Sequence, residues 1–149
     1  MASHIDPSKE TFAAFRANDR DGAIHMLNLV RLRERAAYPD GRAATGAEAY
    51  AAYGRESGPV FSRLGGSIVW RGSFELMLIG PADERWDLCF IAQYPSVAAF
   101  VAMIRDPVYR EAVKHSAGGG RGFPADPACA CRRWGWLRVG GNISHVGSN

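Results

Sequence analysis

The sequence predicts an α+β fold, an antiparallel sheet with helices on one face, and three observations carry that prediction. Residues 65–94 hold two apolar runs joined by the polar turn Gly80-Pro81-Ala82-Asp83-Glu84-Arg85, the pattern of a long β-hairpin. Helix-length segments with apolar residues three and four apart flank this hairpin on both sides. A further apolar run, Ala23–Leu32, precedes them all. The resulting order is helix, strand, helix, strand, strand, helix and a last strand.

Size and composition set the frame. A chain of 149 residues suits one domain with a core of its own. The domain proper is expected over 23–116, with a helical extension at 1–22 and an atypical tail at 117–149. A hydrophobic share of 47% with 22% charged residues is that of a folded globular chain, not a disordered one. No apolar run approaches the ~18 residues that span a bilayer, and no membrane partner is expected. The start, MASHIDPSKETFAAF, lacks the basic region and apolar core of a secretory signal, so a cytoplasmic protein is expected. The net charge of +3 is modest and forms no stripe interleaved with aromatics, so no nucleic-acid partner is expected. Three cysteines, Cys89, Cys129 and Cys131, have no metal-ligand spacing around them, so no metal and no cofactor are expected.

Each element has a local reason. Pro7–Asn18 reads as a short helix capped by Asp6, with Phe12 and Phe15 on one face. Ala23–Leu32 alternates His25, Leu27, Leu29 and Arg31 with Met26, Asn28, Val30 and Leu32. Both sets are mainly apolar, as in a strand buried on both sides. Tyr38-Pro39-Asp40-Gly41 is a turn signature. Thr45–Leu64 is the first long helix, capped by Thr45 or Gly46, with Glu48 near its positive end. Pro59 should kink or split it, and Gly65-Gly66 should end it.

In the hairpin, alternation over Ser67–Ile79 places Ile68, Trp70, Gly72, Phe74, Leu76 and Leu78 on the helix-packing face. Val69, Arg71, Ser73, Glu75, Met77 and Ile79 fall opposite. Gly72 suggests a bulge or a close approach. Trp86–Tyr94 is the returning strand. Ser96 caps the second helix, whose buried stripe is Phe100, Met103 and Ile104. Asp106-Pro107 starts a further short helix, with Val108, Ala112 and Val113 on its apolar side. From Ser116 the tail carries neither period, apart from a strand at 134–139.

A βαββαβ order is that of a ferredoxin-like sandwich. Two helices cover one sheet face, and the other is too apolar for water. A second copy closing sheet to sheet, a homodimeric α+β barrel, is the economical answer.

Several residues carry a family resemblance in their order and spacing: Asn28-Leu29-Val30-Arg31, the helix Tyr50-Ala51-Ala52-Tyr53, and Gly65-Gly66 before a long strand. Trp86-Asp87, Tyr94-Pro95-Ser96 leading to Phe100, and Asp106-Pro107-Val108-Tyr109 ending near His115 complete the set. Over about Ile24 to His115 the chain resembles domain of unknown function 1330, within the dimeric α+β barrel superfamily. The resemblance implies the dimeric barrel fold and supplies no established catalytic set. The wider superfamily includes cofactor-independent monooxygenases, isomerases and cyclases, so it implies an enzyme of that type by analogy. The tail departs from the family's pattern after His115, which puts the fourth strand in question.

The candidate residues rest on their own chemistry. Arg71 and Glu75 share one strand face, where Arg71 can hold a carboxylate bidentately while Glu75 acts as base; the rival reading is a salt bridge. Asn28, among apolar neighbours, either bonds a ligand or ties down a strand end. Arg31 sits at the strand exit, where a pocket mouth or plain solvent awaits it. Trp86 is a stacking surface or a packing aromatic. Tyr53 reaches the edge of the helix–sheet core and can donate to a ligand. His115, following Tyr109 on one helical segment, is the tempting general acid–base group; capping a helix C-terminus is its rival role. A haem role for His115 or His25 is a weaker third reading. The expected function is the binding of a small apolar, partly anionic organic molecule, with or without turnover. The alternative is a non-catalytic ligand-sensing or stress-related interaction module.

Overall fold

The structure, a computed structural model, describes residues 8–18 and 21–115, together with the backbone of 129–137. The order is α1 (Lys9–Ala17), β1 (Ile24–Leu32), α2 (Gly46–Arg63), β2 (Ser67–Gly72), β3 (Leu88–Tyr94), α3 (Val97–Arg105), α4 (Pro107–Ala112), a 3-10 turn (Val113–His115) and β4 (Cys129–Leu137). The sheet runs β2-β3-β1-β4 with every neighbour antiparallel. The predicted α+β class is therefore the one observed. β4 lies along β1, begins five residues before the expected Trp134, and includes Cys129 and Cys131. Arg138 and Val139 of the expected strand, and Asp6 and Pro7 of the expected first helix, lie outside the described residues. Ser8, not Asp6, caps α1, accepting from the Thr11 backbone N–H at 3.1 Å.

One sheet face carries the core. Ile24, Met26 and Val30 of β1 and Ala92 and Tyr94 of β3 are buried there. Against them pack Val60 of α2, Val97, Phe100 and Met103 of α3, and Tyr109 of α4. Phe15 of α1 adds an edge-on contact to Phe100, ring centres 5.4 Å apart. Within the single chain the other face of β1 is only partly covered: the buried and half-buried residues alternate strictly from Ile24 to Val30. Val108 is 56% exposed and Tyr109 takes the inward position instead. The cause is the start of α4 at Pro107, which sets which residues face the core.

α2 is held at both ends by its own sequence. Thr45 Oγ1 accepts from the Glu48 N–H at 3.1 Å, while Glu48 Oε2 accepts from the Thr45 N–H at 2.7 Å, a reciprocal capping box. At the other end the Gly66 N–H donates to the Phe61 carbonyl and the Gly65 N–H to the Ser62 carbonyl. Gly65 has φ +80°, the left-handed conformation that this Schellman end requires. Of the kink or split expected at Pro59, the split does not occur: α2 runs unbroken from Gly46 to Arg63. The residue before a proline normally clashes through its Cβ, and Gly58 has none. The carbonyl that loses its donor belongs to Arg55 on an exposed turn, where water can replace it.

The hairpin differs most from its prediction. β2 stops at Gly72, not Ile79, and Leu76, Leu78 and Ile79 stand exposed. The returning chain explains this. The Asp87 N–H donates to the Val30 carbonyl at 2.8 Å, and Asp87 Oδ2 accepts from the Leu32 N–H at 2.7 Å. The return is thus pinned to the end of β1 and offers residues 73–79 no strand partner.

A register shift in the β2–β3 ladder between Ile68 and Trp70 inserts one extra residue. Strand faces alternate with period two, so everything after it changes side. Ile68 still packs towards the helices, whereas Trp70 is 50% exposed, against its predicted place in the core. The Trp70 indole lies where a side chain on Gly72 would stand; a Cβ there would come within 2.4 Å of the ring. Gly72 therefore marks a close approach, and the bulge sits upstream of it.

Candidate functional site

Between the sheet and α2 lies a cavity of about 490 Å³, within the ~300–1,000 Å³ range of small-molecule sites. α2 supplies one wall through Tyr50, Tyr53, Gly54, Ser57 and Phe61, a stripe at helical spacing. The small Gly54 and Ser57 leave the room that larger residues would fill. β1 contributes Met26 and Asn28, β3 contributes Phe90 and Ala92, and β2 contributes Ile68 and Arg71. Phe100, Met103 and Tyr109 close the far side.

The walls are largely apolar, with a few placed polar groups. Asn28 is only 8% exposed, and its Nδ2 donates to the Met26 carbonyl at 3.0 Å. The Tyr53 and Tyr109 hydroxyls are hydrogen-bonded at 3.1 Å, tying α2 to α4. Arg71 is solvent-accessible and lines the opening. Asp87 lines the cavity as well, but its carboxylate is engaged with β1. Cys89 also lines it, and burial pushes its thiol up from the ordinary value, the opposite of what a nucleophile needs.

Of the residues singled out in the sequence, Asn28, Tyr53, Arg71 and Tyr109 come together on this cavity. The others lie elsewhere. Arg31 falls on the opposite face of β1 from Asn28. Trp86 is 6% exposed and packs where the chain returns to β1, off the cavity lining. Glu75 is exposed in the loop after β2, and no ion pair joins it to Arg71 among the described residues. His115 sits outside the lining. Its Nδ1 is 3.0 Å from the Tyr38 hydroxyl and its Nε2 is 2.8 Å from Glu56 Oε1, so it joins the loop before α2 to α2 itself.

Sequence reasoning passes over Ser57 and Gly54 as lining residues, whereas Ser73 shares with Arg71 the strand face expected to meet a partner or a ligand. The α2 stripe is visible in the spacing of Tyr50, Tyr53 and Phe61. The bulge that turns this face is hinted at in the sequence by Gly72, but it falls upstream, between Ile68 and Trp70. Among the described residues no group of three or more His, Cys, Asp or Glu side chains is placed to hold a metal ion. No described helix is long and apolar enough to cross a membrane.

An antiparallel sheet with helices on one face and a cavity between the layers places the chain among α+β proteins with an interlayer pocket. The chain belongs to the DUF1330 family, a domain of unknown function, whose profile matches residues 42–122. It is similar to several solved structures, two of them of RPA0582. The methylated RPA0582 protein is 66% identical with a TM-score of 0.85, covering 97% of this chain and 100% of that one. RPA0582, described as a protein of unknown function from Rhodopseudomonas palustris, is 68% identical with a TM-score of 0.81, covering 91% and 96%. No curated protein matches the chain.

Proposed function

We propose that the protein binds a small, largely apolar organic molecule carrying an anionic group, held in the cavity between sheet and α2. The carrying observation is the cavity itself, with an arginine at its opening and buried polar groups on aromatic walls. Arg71 supplies a guanidinium fork suited to a carboxylate. The two side chains most suited to acid–base work, His115 and Glu75, lie off the lining, which favours binding over turnover. The Tyr53–Tyr109 hydroxyl pair offers a foothold for proton transfer within the cavity.

In this reading the molecule works as a homodimer of ferredoxin-like units. The outer sheet face, with Leu27, Leu29 and Ile91 partly exposed and Val69 and Trp70 about half exposed, packs against its copy to complete an α+β barrel. A cytoplasmic location fits Cys89, a free thiol.

Titration with 1-anilinonaphthalene-8-sulfonate, an aromatic anion, tests the cavity. Fluorescence enhancement should saturate, and Arg71→Ala should weaken binding by about tenfold, the weight of one charge-assisted hydrogen bond. Gly54→Trp, at a position where an added Cβ meets nothing within 4 Å, should fill the cavity and abolish binding. Binding indifferent to both substitutions would refute the site.

A further inference from the structure

Three cavity-lining residues fall in one row across the sheet. Asn28 of β1 is paired with Phe90 of β3, and Phe90 with Arg71 of β2. Two strand spacings set the Asn28 and Arg71 backbones roughly 10 Å apart, with the Phe90 side chain between them.

The two ends of the row ask for opposite chemistry. The Asn28 bond to the Met26 carbonyl fixes the amide's orientation, because a turned amide would set its oxygen against that carbonyl. Oδ1 is then a hydrogen-bond acceptor that makes no hydrogen bond among the described residues. It calls for a donor. Arg71 is a cation with no ion pair among the described residues and calls for an anion. Between them the surface is aromatic: Phe90, with Phe61, Tyr94 and Phe100 around it. Flat rings stack well there.

We infer that the cavity selects a hydroxylated aromatic acid, lying over Phe90 with its acid group on Arg71 and its hydroxyl donating to Asn28. A ring with the two groups at opposite ends fits the row; an apolar acid without the donor leaves Asn28 unpaired. This inference rests on the cavity being the binding site.

The test is calorimetric titration of the full chain with 4-hydroxyphenylacetate, phenylacetate and 4-hydroxyphenylacetamide. The hydroxylated acid should bind tightest, by about tenfold over each of the other two. Arg71→Gln should erase the acid–amide difference alone, and Asn28→Leu the hydroxyl difference alone. Equal affinity for all three compounds on the intact protein overturns the inference, with no variant needed. If none of the three binds while the anilinonaphthalene sulfonate still binds and is blocked by Gly54→Trp, this inference falls and the cavity reading stands. If the sulfonate fails too, both fall.

Discussion

At the scale of single residues, position after a bulge decides what a side chain can do. Arg71 and Trp70 exchange their predicted faces because one extra residue enters the β2 ladder. Alternation gives no warning of where the shift falls, and Gly72 hints at a bulge without placing it; the pairing with β3 locates it between Ile68 and Trp70. Asn28 is legible as a polar intrusion in an apolar strand, whereas its tie to Met26 needs coordinates. Gly66 is similarly unforgiving. A Cβ there would come within 2.3 Å of the Phe61 ring and 2.8 Å of the Phe61 carbonyl, so the backbone would have to move. Gly66→Ala should destabilise the fold by about 1–3 kcal/mol, read from urea unfolding. An unchanged midpoint would show that the α2–β2 joint relaxes freely.

At the scale of elements, sequence signals are most reliable where a cap fixes the end of a helix. Thr45 with Glu48, Ser96, and Asp106 with Pro107 are all readable and sit as caps in the fold. The exception is the long hairpin, whose length is overread because Asp87 is drawn to the end of β1, a long-range bond that local pattern cannot express.

The Asp106 cap also links two elements. Arg63 at the end of α2 donates to Asp106 Oδ2 at 2.6 Å, and that bond, aided by the Val108 and Tyr109 N–H groups, holds the Asp106 carboxyl below its ordinary value. A carboxyl lowered in the folded state adds stability above its unfolded pKa, and loses it as pH falls through the lowered folded value. Arg63→Ala should raise the Asp106 pKa towards the ordinary carboxylate range in a carbon-detected NMR titration. It should also move the acid limb of unfolding to higher pH. An unmoved Asp106 titration would mean that the backbone N–H groups alone set its value.

At the scale of the whole molecule, the two sheet faces have separate jobs. One holds α2 and α3 at a distance that leaves a cavity; the other is half covered and apolar. The layered α+β arrangement is legible because the strand and helix periods differ so clearly along the chain. A pocket between sheet and helices is expected from the same layering, but its size is not legible, because it depends on small residues, Gly54 and Ser57, lining the same cavity as Phe90, a relation between distant residues. For the outer face, Leu29→Glu should convert a dimer to a monomer in sedimentation velocity while leaving the helical circular dichroism intact. A monomeric parent protein, or a dimer that survives the substitution, would remove the proposed sheet-to-sheet pairing.

The most direct measurement is a crystal structure of the protein grown with 4-hydroxyphenylacetate. The predicted result is density lying over Phe90, with the carboxylate on Arg71 and the hydroxyl within hydrogen-bond distance of Asn28. Density confined to the outer sheet face, or an empty cavity at saturating ligand, would contradict the account.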